Sequence, residues 1–313
     1  IEDWLAAFED TTGRDLTQFA RWYSQAGTPH LHVTEMWDGD TYTFTLCQDL
    51  RPTPDGSPRD PQVIPVDIGL IGPDGTEVLA TQTLILTDLA ETFRFEGIPK
   101  GAVLSVLRDF SAPVIMHHAQ SAADKAHLFA HDTDPFNRWD AGHALARQVL
   151  LDMVLTDAAP DTAFLDGLAA VLRNDTLDPA FRALAVSLPS ETNTAQAIAQ
   201  TAGQPDPLAI HHAHEALKLQ IAQHLQDIVP RIYAQMTVDG PYDPNAMDAG
   251  KRALGNVVLG LISRIDGGAQ ATAQFDAANN MTQQLAALAC LLRVGKGANA
   301  SAVFYDQWKS DRL

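Results

Sequence analysis

Two histidine-bearing stretches carry the residue types of metal-assisted hydrolysis. His214-Glu215-Ala216-Leu217-Lys218 begins like the helix motif His-Glu-x-x-His, in which two imidazoles one turn apart hold zinc and the intervening Glu is the general base. Lys218 stands at the second ligand position, and an ammonium group cannot replace a neutral imidazole. The motif is broken. His214 also falls on or beside an apolar stripe of Ile210, Leu217, Ile221, Leu225 and Ile228, which predicts a packed or hydrogen-bonded ring. In His127-Leu128-Phe129-Ala130-His131 the i, i+4 spacing suits two ligands, and Asp132 and Asp134 follow, but Leu128 occupies the place of the catalytic Glu. Hydrolysis by that route is excluded; between a structural metal and two solvated histidines near a helix end, the second is preferred.

The other candidates are weaker. His117-His118 and His211-His212 are adjacent pairs whose rings point in different directions on a helix or strand, so neither makes a site by itself. Asp109 and Ser111 could be imagined with a histidine as a triad, but Ser111 lacks the Gly-x-Ser-x-Gly elbow. No glycine-rich phosphate loop is present. Arg138 and Trp139 read as an ion-pair partner and a buried anchor. No catalytic, metal-binding or substrate-binding residue is therefore assigned from the residues alone.

The elements that would position such groups change character along the chain. Residues 2 to 9 read as the end of an amphipathic helix, Thr11 to Arg14 as a turn, and Asp15 to about Gln25 as a second helix with Asp15 as N-cap, stopped by Gly27, Thr28 and Pro29. From His30 the apolar residues alternate. Leu31 and Val33 mark one strand, Tyr42, Phe44 and Leu46 the next, with Asp38-Gly39-Asp40 as the hairpin turn between them. Arg51 to Asp60, with Pro52, Pro54, Gly56 and Pro58, is a polar loop. Further strands are predicted at Val63 to Ile71, Glu77 to Leu86, Glu91 to Phe95, Val103 to Phe110 and Val114 to Met116.

Beyond Ser121 the period becomes helical. Asp134-Pro135, Asp178-Pro179, Asp206-Pro207 and Asp243-Pro244 read as helix starts, with Asp capping free N–H groups and Pro placed where it has none to lose. Their uneven spacing excludes a strict repeat and suits an irregular stack of helices. The chain thus reads as an α+β multidomain protein: a small immunoglobulin-like β-sandwich followed by an all-α array, an irregular HEAT-like α-solenoid. The join lies in the stretch from Leu104 to Asp140, where Phe136 and Trp139 are the predicted packing anchors of a hinge.

Composition narrows the partners. With 313 residues, 46% of them hydrophobic, the chain can bury more than one core. A formal net charge of -18 argues against nucleic acid and against anionic membrane surfaces, both of which reward Lys and Arg. Cys47 and Cys290 are too few for a disulfide framework or a thiolate metal site, and cytoplasm is the default location. The chain opens at Ile1 directly into a helical pattern and closes near Phe304 and Trp308 in another, so the expectation is a fragment whose neighbours are missing and whose last helix runs to Leu313.

Several stretches resemble the bacterial aminopeptidase N family, the zinc-dependent alanyl aminopeptidases. They are Asp15 to Pro29 (Asp-Leu-Thr-Gln-Phe-Ala-Arg-Trp-Tyr-Ser-Gln-Ala-Gly-Thr-Pro), Asp109 to Val114, Phe136 to Ala141 (Phe-Asn-Arg-Trp-Asp-Ala) and Asp206 to His211, in that order. The resemblance implies that residues 1–27 are the tail of a catalytic domain, 28–120 a β-sandwich domain, and 121–313 a helical C-terminal domain, itself truncated. The family's Gly-x-Met-Glu-Asn segment and its complete His-Glu-x-x-His are absent from the sequence. No catalytic or metal residue is carried over, and zinc is expected in the parent enzyme, on the absent catalytic domain, with none in this fragment. In the parent, zinc and a glutamate would activate water to attack the first peptide bond, while the helical domain caps the site and limits which peptides enter. The resemblance implies an inactive fragment, monomeric, whose partners are the missing catalytic domain and, in the parent, peptide substrates. The alternative is a non-enzymatic interaction module built from the sandwich and the solenoid.

Overall fold

The computed structural model describes residues 1–39, 41–52, 56–201 and 203–311. Asp40 of the predicted hairpin turn, Pro54 of the predicted loop and the terminal Leu313 lie outside them. The chain divides into two compact units, Ile1–Arg138 and Trp139–Leu313.

The first unit opens with helices α1 (Glu2–Thr12) and α2 (Arg21–Ser24), followed by strands β1 (His30–Asp38), β2 (Thr41–Asp49), β3 (Ile64–Ile71), β4 (Glu77–Leu86), β5 (Ala90–Glu96), β6 (Val103–Val106) and β7 (Ile115–His118), then helix α3 (Ala122–His131). The strands form two sheets, β5-β2-β1-β7 and β4-β3-β6. β7 runs parallel to β1, and the other pairs are antiparallel. The alternation read in the sequence is the inward face of the sandwich. Leu31, Val33, Tyr42, Phe44 and Leu46 from one sheet meet Ile64, Val66, Ile68, Leu104 and Val106 from the other in one apolar core, and the intervening Thr41, Thr43 and Thr45 face outward.

Two predicted elements of this unit differ from the structure. The helix expected from Asp15 to Gln25 is a single turn, α2. Asp15 accepts the Thr17 N–H at 2.8 Å, closing a local turn instead of capping a helix. The following side chains reach across to sandwich carbonyls: the Gln18 amide donates to Thr87 O at 2.6 Å and the Trp22 indole N–H to Val63 O at 2.8 Å. The strand expected from Val103 to Phe110 stops at Val106. Leu107, Asp109 and Phe110 all take left-handed backbone conformations (φ 61, 54 and 54°), rare for residues with a Cβ, and Arg108–Phe110 form a 3-10 turn.

The second unit is helical throughout. Helix α4 (Pro135–Thr156) runs into it, followed by α5 (Thr162–Arg173), α6 (Pro179–Ala185), α7 (Glu191–Thr201), α8 (Pro207–His224), α9 (Val229–Gln235), α10 (Ala246–Ile265), α11 (Ala269–Ala277), α12 (Met281–Arg293) and α13 (Ala298–Trp308). α10 is the central element, packing against α6, α8, α9, α11 and α12, and its Leu254, Val258 and Leu259 are fully buried. Three of the four Asp-Pro starts cap as predicted. Asp134 accepts from Asn137 N at 2.7 Å, Asp178 from Ala180 N at 2.8 Å and Asp206 from Leu208 N at 2.9 Å. At the fourth the cap moves two residues on: Asn245 caps α10 by accepting the Asp248 N–H at 2.9 Å, and Asp243 accepts the Asn245 N–H. The apolar stripe predicted through Ile228 is likewise interrupted, with α8 ending at His224.

Candidate functional site

The densest polar constellation lies in the first unit, where β6 ends. The left-handed Leu107 turns the chain so that Arg108, 1% exposed, points inward among the sandwich strands. Its Nη2 lies 2.8 Å from Asp132 Oδ1, Nη1 lies 2.6 Å from Glu77 Oε1 and 2.9 Å from Thr81 Oγ1, and Nε donates to Ser105 Oγ at 3.0 Å. The Ser105 hydroxyl donates to Asp132 Oδ2 at 2.6 Å and accepts from Asn137 Nδ2 at 2.7 Å. Thr133 Oγ1 donates to Glu77 at 2.6 Å.

Gly69 of β3 makes room for this guanidinium: a Cβ there would overlap Arg108 Cζ and Nη1. Burial pushes the Asp132 carboxyl above the usual aspartate value, while Ser105, Arg108 and the Asp134 N–H pull it down. At Glu77 burial also raises, but Thr133 and Arg108 prevail and its carboxyl lies below the ordinary value.

Chemically this constellation is a lock. An arginine cannot act as a base, and the Ser105 hydroxyl is buried with its proton committed to Asp132. The imagined triad is tied up in the same way. Ser111 Oγ accepts the Asp67 N–H at 2.9 Å, and Asp109 is held through its own N–H to Asp134 Oδ2 at 3.0 Å. Phe136, predicted as a packing anchor, is 37% exposed and sits edge-on to Phe110 with ring centroids 5.4 Å apart. Trp139 is half-buried beside His143. The close ion pairs before α4 are made by Arg108, and Arg138, read as an ion-pair partner, is buried with the Asp132 carboxylate as its electrostatic partner.

The histidines are dispersed. His214 is 2% exposed, and its Nε2 lies 3.0 Å from Thr194 Oγ1, the packed and hydrogen-bonded state predicted for it. Burial and the nearby Lys218 hold its ring below the ordinary histidine value. Lys218 bonds Glu215 at 2.9 Å, so the second ligand position and the base position of the broken motif are paired to each other. His127 and His131 are not simply solvated: their rings lie 5.0 Å apart against the turn after β3, and His127 Nε2 is 2.8 Å from Gly72 O.

His117 and His118 point apart as expected. His118 meets Glu35 at 2.5 Å, while His117 stacks on His30 and His32 on the outward face of β1 and β7. Sequence reasoning misses that stack, although His30-x-His32 on one strand is a readable sign of it. His211 pairs with Glu191 at 2.9 Å. Among the described residues no three His, Cys, Asp or Glu side chains are arranged to hold a metal ion, and no helix is long and apolar enough to cross a membrane.

Two family models match the chain, and they meet before α3, earlier than the boundary between the two compact units. Residues 27–119 match a family model described as "Domain of unknown function (DUF3458) Ig-like fold", and residues 122–313 match "Domain of unknown function (DUF3458_C) ARM repeats". The chain is 36% identical over 326 aligned residues to a protein named aminopeptidase N from Caulobacter vibrioides, covering 100% of this chain and 37% of the relative. It is 32% identical over 305 residues to aminopeptidase N of Escherichia coli, covering 92% of this chain and 34% of the relative. The chain thus spans little more than a third of the length of these relatives. Among solved structures, the crystal structure of Legionella pneumophila aminopeptidase A in complex with aspartic acid superposes with a TM-score of 0.81 at 24% identity, over 99% of this chain and 37% of that one, a likeness of fold.

Proposed function

Because the chain belongs to the DUF3458_C family, the C-terminal region of proteins of the aminopeptidase N family, we propose that it is the sandwich and helical portion of an aminopeptidase that removes N-terminal amino acids from peptides. The observation that carries this reading is the 36% identity running through the whole chain to a protein of that name. In this reading residues 1–27 are the tail of the peptidase domain, 28–120 a rigid spacer and 121–313 part of a helical cap that limits access to the cleft. The parent is a cytoplasmic, monomeric metallopeptidase, and the isolated portion is inactive.

The residues of this chain do not fit the zinc ion that the parent activity calls for. The second ligand position of the His-Glu stretch is Lys218, whose ammonium is bonded to Glu215, and His214 is enclosed against Thr194. The ion and the groups that activate water are therefore assigned to polypeptide outside this chain. What these residues contribute is shape: a sandwich fastened by the Arg108 lock, and a helical array centred on α10.

The coding sequence upstream of Ile1 tests the reading. A peptidase domain with His-Glu-x-x-His and a downstream Glu ligand is the expected result. An initiator Met directly before Ile1, with no peptidase domain, would overturn it in favour of a free-standing interaction module.

A further inference from the structure

In an acidic chain, one cleft of the helical unit gathers positive charge. It is a cavity of about 460 Å³ between α8, α10, α12 and the segment leading into α7. Lys218 comes from α8, Arg264 from the last turn of α10 and Arg293 from the end of α12, so three separate helices deliver a cation to one place. All three surround one carboxylate. Glu215 lies 2.9 Å from Lys218 Nζ, 2.9 Å from Arg264 Nη2 and 3.8 Å from Arg293 Nε.

Glu191, an acid that lines the cleft, is directed to His211 at 2.9 Å. Glu215 can neutralise one cation, which leaves positive charge in excess. Arg264 is held in place by a further bond to Gly260 O at 2.5 Å, and its side chain is 9% exposed. Arg293 and Lys218 are more open, at 41% and 29%. Val257, Leu261 and Ala286 give the cleft an apolar stretch of wall, alongside the polar Ser190, His214 and Asn256.

A pre-positioned guanidinium and two accessible cations beside an apolar wall match one chemistry: a carboxylate carried on a compact apolar body. We propose that this cleft is a binding site for such a ligand, with Arg293 and Lys218 taking the carboxylate, Arg264 and Glu215 fixing their positions, and Val257 and Leu261 packing on the apolar part. The acid group can come from a small free acid or from the carboxyl terminus of a peptide. The inference does not rest on the aminopeptidase reading.

Calorimetric titration of the 313-residue chain with N-acetyl-L-leucine and with N-acetyl-L-leucinamide, a pair that differs in the charge of one end, tests it. The acid is expected to bind about tenfold more tightly than the amide, and Arg293→Gln, at a half-exposed position, to reduce that preference to about threefold or less. A tripeptide ending in leucine, compared with its amide, separates the two sources, and a preference for either acid over its amide supports the site. Equal binding of acid and amide in both pairs would overturn it, as would a preference unchanged by Arg293→Gln, or inorganic phosphate binding as tightly as the acids. Should Arg293→Gln fail to fold, Lys218→Gln carries the same comparison with the same two outcomes.

Discussion

Arg108 Nη2 and Asp132 Oδ1 lie 2.8 Å apart with side chains 1% and 0% exposed, joining the end of β6 to the end of α3 by an ion pair almost wholly out of water. Removing one member strands the other in the interior. Asp132→Ala is expected to lower the unfolding free energy by about 3–5 kcal/mol, read from urea denaturation. A loss below about 1 kcal/mol would mean that Glu77 alone neutralises Arg108.

Gly69 is required by the same lock, through lack of a side chain. Gly69→Ala is expected to displace the buried guanidinium and cost about 1–3 kcal/mol. Its backbone is ordinary strand, so in an Arg108→Met background the same substitution should cost markedly less. A double-mutant cycle in urea reads the coupling.

Asp178 accepts N–H bonds from Ala180 and Phe181 at 2.8 and 3.2 Å. Asp178→Ala should cost about 1 kcal/mol, measured as a lowered midpoint of denaturation. Asp243→Ala should cost less than Asn245→Ala, because Asn245 is the residue that caps α10.

The pH dependence of stability follows from histidines withdrawn from water. His214 is held below its ordinary value by burial and by Lys218, and His143 by burial with Arg147 adding to the effect against an opposing Asp140. The unfolded chain therefore binds protons that the folded chain does not once the pH falls towards the ordinary histidine value of about 6.5. Stability contributed by the neutral rings is present above that value and is lost as the pH drops below it. The melting temperature is expected to fall between about pH 7 and about pH 5, and His214→Gln should flatten the fall. An unchanged slope in the variant would show that His214 is not the group responsible.

How much of this is legible beforehand depends on how local the signal is. The alternation at Tyr42, Phe44 and Leu46 and the caps at Asp178 and Asp206 are local, and each predicts its element. The helix expected at Asp15 fails because Gln18 and Trp22 bond to carbonyls far along the chain, at Thr87 and Val63, and such long-range partners leave no period in the sequence. Arg108 is unreadable for the same reason: its partners, Glu77 and Thr81 on β4 and Asp132 after α3, all lie far from it along the chain. The charged cleft of α8, α10 and α12 is hidden too. In sequence Glu215 and Lys218 suggest only a broken zinc motif, and Arg264 and Arg293 lie far along the chain.

On the proposed reading of the chain as a non-catalytic portion of an aminopeptidase, it should release no amino acid by itself. The sharpest measurement is hydrolysis of alanyl and leucyl amide substrates by the purified chain, with zinc supplied and the bound metal quantified. No release and no stoichiometric zinc are expected. Turnover that a chelator abolishes and zinc restores would mean that the chain carries an active site of its own.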